Sequence, residues 1–309
     1  MQNFDLCFAW NWQYDADFTG LLATACQDQN LSLYQVTSAN LEHTLHSLNS
    51  NQMCFRAFFD RASDTDDRFN QLVDWASRQA SVRINPFGIA RRAWDKAAMH
   101  HQVLQARLEA PLTFVLPSFQ DMPCLSPPDL RPLGERFAIK PAHGGGGKGV
   151  VTGATTWEQV LYARQEYPAD QYLLQAHVDP VDMDGRPAWF RILYCAGKAF
   201  PCWWDPASHI YSPLCEAELN HYCLHYLHNI VTGLAQICKL ELFSTEVALT
   251  SAGRFMIVDY INDPVDLRLQ SKVAGGVPDD IVATIARQLV DFVAARCYTH
   301  FFYTRLLVS

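Results

Sequence analysis

Short apolar runs alternate with amphipathic ones along the first third of the chain. Strand-like runs cover Asp5 to Ala9, Leu31 to Val36, Cys54 to Phe58 and Val82 to Ile84, and helical spacing covers Asp17 to Cys26, Asn40 to Leu48 and Asp66 to Ala80. Strand, helix, strand, helix at this pitch predicts an α/β unit with a mostly parallel sheet. The next segment opens on the turn residues Asn85, Pro86 and Gly88. It continues as a helix in which Ala98, Val103, Leu104 and Leu108 recur at helical spacing, and it ends before Pro111.

The pattern then changes. SFQDMPCLSPPDLRPLGE, residues 118–135, is the most proline-rich stretch and reads as a connector dividing the chain near 120–130. Beyond it, FAIKPAHGGGGKGVVTG reads as a hairpin with a glycine tip. Thr155 and Glu158 have the spacing of a capping box that opens a helix to Tyr167. After a strand at Gln171 to Val178 come two antiparallel pairs, turning at Ala196-Gly197 and at Ser251 to Gly253. A helix from about Glu216 to Leu240 lies between them, and another from Asp279 to Phe301 closes the pattern.

Charge narrows the partners. Lys+Arg number 24 against 32 Asp+Glu, a net of −8, so nucleic acid and anionic membranes meet a like charge and neither is expected as a partner. A 49% hydrophobic, 12% aromatic composition in 309 residues fills about two domains and excludes disorder. The ten cysteines contain no C-x-x-C pair, and Cys7, Cys26 and Cys195 sit in apolar runs as reduced core thiols would. With neither a basic, apolar leader nor a long apolar run, the expected location is cytoplasmic.

The candidate chemistry gathers in the second half. In His143-Gly144-Gly145-Gly146-Gly147-Lys148-Gly149 the glycines allow backbone N–H groups to close on an anion, although the loop fits neither a Walker A nor a dinucleotide fingerprint. Lys140 on the incoming strand and Lys96 after Asp95 offer ammonium groups for a polyphosphate. If Ser251 and Ala252 form a two-residue turn, Glu246 faces Ile257 and Ser244 faces Asp259, which makes Glu246 and Asp259 diagonal neighbours on one face. A three-residue turn would break that parity. Two such carboxylates repel unless a cation lies between them, and hard oxygen ligands beside phosphates suit Mg²⁺.

These residues resemble the ATP-grasp enzymes over nearly the whole chain, most specifically from Asp95 to Asp263. The resemblance implies a mixed α/β and α+β fold: an N-terminal pre-ATP-grasp α/β domain at 1–120, then the two-subdomain ATP-grasp fold at 121–309, with a glycine-loop part at 131–180 and a metal-binding part at 181–309. It implies that Lys96 and Lys140 contact phosphates and that Gly144, Gly145, Gly146, Gly147, Lys148 and Gly149 form the loop over them. It further implies that Gln175 starts the adenine hinge, where the family usually has glutamate, with the backbone of Ala176, His177 and Val178 reading the base and Asp182 or Asp184 meeting the ribose. Arg191 would join Lys140 in catalysis by stabilising the transferring phosphoryl group. Glu246 and Asp259 would hold Mg²⁺, or Mn²⁺ in its place.

The family's last motif is an acid, any residue, then asparagine. Here Asp259-Tyr260-Ile261-Asn262 is one residue too long, which predicts a β-bulge at Tyr260 to Ile261, with Asp263 as a rival to Asn262 for the metal. The implied function is ATP-dependent ligation: a carboxylate is activated as an acylphosphate, and an amine, thiol or similar nucleophile displaces phosphate. The substrate would be a small molecule or peptide bearing a carboxylate. A kinase acting on a hydroxyl and a non-catalytic ATP-binding regulatory protein are the alternatives.

Other features have ordinary readings beside functional ones. His221, His225 and His228 recur at helical spacing, as a metal face would, but more often as solvated residues. Trp203-Trp204-Asp205 reads as packed hairpin or as a pocket wall, and Arg268 and Lys272 as surface cations or an anion contact. The apolar end HFFYTRLLVS packs on its own core or on a second copy, in a homodimer.

Overall fold

The computed structural model describes the backbone of residues 1–306 and side chains through Cys297. Its first unit runs β1 (Gln2–Trp10), α1 (Ala16–Asp28), β2 (Leu33–Val36), α2 (Leu41–Asn49), β3 (Met53–Arg61), α3 (Asn70–Gln79) and β4 (Val82–Ile84). The four strands form a parallel sheet in the order β2-β1-β3-β4, as the alternating pattern predicts. Both faces are covered. Leu6, Phe8, Ala57 and Phe59 pack on α1 and on the last helix, whereas Cys7, Ala9 and Phe58 pack with residues of α2 and α3. Near-continuous apolar strands are what a doubly covered parallel sheet requires.

Two helices, α4 (Phe87–Ala93) and α5 (Lys96–Gln105), lead to β5 (Thr113–Leu116). The proline-rich segment follows, then β6 (Phe137–Pro141), β7 (Val151–Ala154), α6 (Trp157–Glu166) and β8 (Tyr172–Ala176). These strands make an antiparallel sheet ordered β5-β8-β6-β7. Residues 118–135 therefore connect two strands of one sheet, and do not divide two units: β5, placed before the boundary by composition, pairs with β8. The capping box at α6 is formed by Thr156 and Gln159, one residue later than the Thr155-Glu158 spacing suggests.

The third unit contains the small hairpin β9 (Asp182–Met183) and β10 (Arg186–Pro187), then β11 (Trp189–Cys195), β12 (Lys198–Asp205), β13 (Ile210–Pro213), α7 (Glu216–His221), α8 (Tyr226–Cys238), β14 (Leu242–Leu249), β15 (Phe255–Asn262) and α9 (Asp279–Leu306). Its antiparallel sheet is ordered β13-β12-β11-β14-β15. Phe190, Ile192 and Phe243 face α8, and Leu193, Cys195 and Leu242 face α9 and the first sheet. The single helix expected over Glu216 to Leu240 is broken after His221, with Cys223 at a left-handed φ of 56°. His221 thus lies on α7 and His228 on α8, so the three histidines share no continuous helix face.

A buried arginine ties the first sheet to the segment after β15. Arg61, at the end of β3, donates from Nε and Nη2 to Asp15 at 3.0 and 2.8 Å, and from Nη1 to the Val265 carbonyl at 2.8 Å. Both side chains are almost inaccessible, and all three guanidinium contacts are charge-assisted. Removing one partner of such a pair leaves an uncompensated buried charge. Asp15→Asn is expected to lower the free energy of unfolding in urea by about 3–5 kcal/mol; a loss below about 1 kcal/mol would mean that solvent compensates the guanidinium.

Candidate functional site

Strand parity brings the basic residues inward. Lys140 and Ala138 share one face of β6, and Gln175 on β8 stands opposite Ala138, so Lys140 and Gln175 are diagonal neighbours on that face. The opposite face, with Phe137, Ile139, Tyr172 and Leu174, forms the apolar contact with α6. Lys140 Nζ donates to Gln175 Oε1 at 2.7 Å and to the Val258 carbonyl of β15 at 3.0 Å, bridging the second and third sheets. Burial pulls the Lys140 ammonium below its ordinary pKa; Asp259 and Glu246 oppose that shift and Lys96 adds to it.

The glycine loop joins β6 to β7. His143 anchors its start, with both its backbone N–H and Nδ1 on the Asp170 carboxylate, at 2.8 and 2.9 Å. Gly144, Gly146, Gly147 and Gly149 all have positive φ, and Gly145 and Lys148 are exposed between them. At Gly149 only glycine fits: φ is +70° and an added Cβ would lie 2.5 Å from the Tyr167 ring. Lys96 is the first residue of α5, whose N-cap Asp95 accepts from the Ala97 and Ala98 N–H groups; its Nζ donates to the Gly144 carbonyl and so reaches the loop.

The acidic residues come from the third sheet, in a register that differs from the two-residue-turn expectation. Three residues, Ser251 to Gly253, separate Thr250 from Arg254, which are hydrogen-bonded to each other. Leu249 faces Phe255 and Val247 faces Ile257, so Glu246 would fall opposite Val258. A register shift intervenes, and Glu246 pairs directly with Asp259. A second shift at Tyr260 to Ile261 then pairs Ser244 with Asn262. This second shift is the bulge the overlong motif predicts. Since Ser244 and Glu246 are two residues apart on one strand, the bulge brings Asn262 to the face that carries Asp259.

Arg191 completes this face. It pairs directly with Glu246 across β11 and β14, with Nη1 at 3.2 Å from Glu246 Oε1 and Nε at 3.3 Å from Ser244 Oγ. Its guanidinium lies 4.8 Å from the Trp204 ring centroid. Burial works against the Arg191 charge, but the fields of Tyr211, Glu246, Asp259 and Asp266 outweigh it and raise its pKa. Burial raises the Glu246 pKa, with Arg191 opposing and Asp259 reinforcing that rise. The amide nitrogen of Asn262 is buried without a hydrogen-bond partner beside these groups.

Asp263 stands apart. Its carboxylate accepts from Asn85 Nδ2 at 2.8 Å and Trp94 Nε1 at 3.0 Å, and burial pushes its pKa up to about 6. Both oxygens are thereby engaged away from the Glu246–Asp259 pair. Asp182 caps the Gly185 N–H within the β9–β10 turn, and Asp184 accepts from the Tyr222 hydroxyl at 2.6 Å, so neither is bonded to the cluster. At the expected hinge, the Ala176 N–H is taken by the Leu112 carbonyl, His177 lies 3.2 Å from Asp179, and Val178 packs on Ala248 and Met256.

A polar chain that sequence reasoning missed backs the site. Tyr260, within the bulge, lies 2.7 Å from His100 Nδ1 and 3.4 Å from Gln175 Nε2, and Gln175 in turn holds Lys140. His100 is buried on α5, and desolvation, then His101, lowers its pKa. A lone histidine on a helix and a tyrosine on a strand carry no spacing signal that would have joined them. Tyr260→Phe leaves His100 without its partner and is expected to cost about 1–3 kcal/mol in urea unfolding. An unchanged midpoint would mean that the hydroxyl is replaced by water.

No family model matches the sequence, and no curated protein matches it. Solved structures do match. A RimK domain protein ATP-grasp from Sphaerobacter thermophilus is 17% identical, with a TM-score of 0.64 over 93% of this chain and 98% of that one. The D-alanine–D-alanine ligase from Bacillus anthracis complexed with ATP is 11% identical, with a TM-score of 0.64 over 97% and 98%. The ATP-grasp ligase PsnB, complexed with minimal precursor, Mg and ADP, is 10% identical, with a TM-score of 0.59 over 96% and 100%. The chain has the ATP-grasp fold.

Proposed function

We propose that this chain is an ATP-dependent ligase that activates a substrate carboxylate as an acylphosphate and transfers the acyl group to an amine or similar nucleophile. The observation that carries this reading is the meeting of Lys140 from one sheet with Arg191, Glu246 and Asp259 from another, under a glycine loop contacted by Lys96. Three cations and a row of loop N–H groups suit a triphosphate, and an opposed carboxylate pair suits a divalent ion.

In this reading Lys96 and Lys140 bind phosphate oxygens and the loop from Gly144 to Gly149 closes over them. Gln175 positions Lys140. With the Ala176 N–H engaged, the base edge falls to the backbone of His177 and Val178, and Asp182 or Asp184 meets the ribose only by leaving its present bond. Glu246, Asp259 and the amide oxygen of Asn262 would hold Mg²⁺ or Mn²⁺, and the fit is supported by two directly opposed acids with Asn262 brought to their face. Bound there, the ion would neutralise phosphate charge.

Arg191 stabilises charge on the phosphoryl group as the carboxylate oxygen forms its bond to phosphorus and ADP departs with the electrons of the broken P–O bond. The amine then attacks the acyl carbon, phosphate leaves, and the amine proton passes to solvent. Chemistry of this kind is positioning and charge neutralisation, which such a site supplies without a separate nucleophile.

Calorimetry tests the nucleotide site without knowledge of the substrate. Wild type is expected to bind ATP in a Mg²⁺-dependent manner. Lys140→Ala is expected to weaken binding by about 30-fold or more, roughly 2 kcal/mol, and Glu246→Ala/Asp259→Ala to lose the Mg²⁺ dependence. A folded wild type that binds no ATP would overturn the proposal. ADP release that requires both a carboxylate and an amine would separate ligase from kinase.

A further inference from the structure

A second feature adjoins this site and is used by none of its groups. A cavity of about 400 Å³ opens between the C-terminal ends of the parallel strands and the segment after β15, lined among others by Trp12, Arg61, Asp64, Pro264, Val265 and Asp266. The C-terminal edge of a parallel sheet is where α/β units bind ligands. The volume suits a molecule of amino-acid to dipeptide size.

The charges around it are unevenly spent. Arg61 gives its donors to Asp15 and the Val265 carbonyl, and Asp15 gives both oxygens to Arg61. Asp266 gives both carboxylate oxygens to Arg268, whose guanidinium lies 5.7 Å from the Trp12 ring and 5.9 Å from the Tyr14 ring. Asp64 differs: among the described residues it makes no ion pair. Its side chain is exposed at the cavity; desolvation, then the neighbouring Asp60 charge, raises its pKa, and the Arg61 charge opposes that rise. Trp12 lines the same cavity and Tyr14 packs edge-on against Trp12 at 5.1 Å; they leave 40% and 51% of their surfaces exposed, an apolar wall close to an acid without an ion-pair partner among the described residues.

The cavity also lies close to the phosphoryl-handling side. Asp266 is four residues beyond Asn262 in the chain, its field reaches Arg191, and Gln270 ties the same segment to the Tyr211 carbonyl at 2.9 Å. Tyr211 in turn lies 5.9 Å from the Arg191 guanidinium.

We infer that this cavity seats the amine-bearing substrate, with Asp64 pairing its ammonium group and Trp12, Pro264 and Val265 covering its apolar body. The inference rests on the ligase reading for the fate of that amine, but the binding itself does not require ATP. A cation is the ligand that leaves no charge unpaired here, because a carboxylate in the same seat would meet Asp64 while both nearby guanidinium groups are already engaged. A primary ammonium satisfies Asp64 with the fewest further demands, since its remaining donors can reach water at the open side.

The test uses calorimetry on the full chain with the amides of glycine, alanine, phenylalanine and lysine, in both enantiomers where they exist, and with their N-acetyl counterparts. At least one free amide is expected to bind, its N-acetyl form to bind about tenfold or more weakly, and Asp64→Asn to lose the distinction. Asp64→Glu, which keeps the charge, is expected to recover part of it. Equal binding of free and acetylated amides, the same preference in Asp64→Asn, or no binding by any amide would overturn the inference. Failure of ATP binding alone would overturn the ligase reading and leave the amine seat standing.

Discussion

The site depends on a register. A strand presents side chains to alternate faces, so a three-residue turn at Ser251 to Gly253 would by itself send Asp259 to the side away from Glu246. One extra residue ahead of Asp259 reverses that, and a second extra residue between Asp259 and Asn262 reverses the side of Asn262. Two bulges within one eight-residue strand are a local cost in ladder hydrogen bonds. They turn a regular hairpin into a platform on which an arginine, two acids, an amide and a serine stand together.

The second constraint is electrostatic. Acids at this spacing in a half-buried setting require positive charge, and it arrives from separate parts of the chain: Arg191 from the neighbouring strand and Lys140 from another sheet. Because Lys140 donates to the Val258 carbonyl, at the first bulge, the irregular strand that aligns the acids also supplies an acceptor for the lysine. Geometry and charge balance are met by the same few residues, which explains why the polar chain through Gln175, Tyr260 and His100 is buried there.

Much of this was legible in the sequence where the determinants are local. LCFAW and CFRAFF read as buried strands because both faces of a parallel sheet are covered, and the overlong Asp259-Tyr260-Ile261-Asn262 spacing announces its bulge. The compensating shift ahead of Asp259 was not legible, because it answers a turn length that three flexible residues leave open. The proline-rich stretch misled for a related reason: composition reports that a segment is exposed, whereas the sheet that owns β5 is decided by β8, about sixty residues further on. Asp263 offered the right chemistry in the right neighbourhood, and only the positions of Asn85 and Trp94 reveal that its oxygens are engaged. The described side chains end before the apolar C-terminus, so the expectation of a dimer there falls outside them.

The C-terminal helix has a consequence for how the molecule comes into being. Ile281, Val282, Ile285, Leu289, Val290 and Val293 of α9 cover the face of the first sheet that carries Leu6, Phe8, Ala57 and Phe59. β1 and β3 are synthesised more than two hundred residues ahead of α9, so that face is sealed late. Until then a parallel sheet built from long-range contacts holds uncovered apolar surface, the condition under which nascent chains aggregate or recruit chaperones. Synthesis order and folding order run against each other here, and the first sheet and α9 become one structural unit.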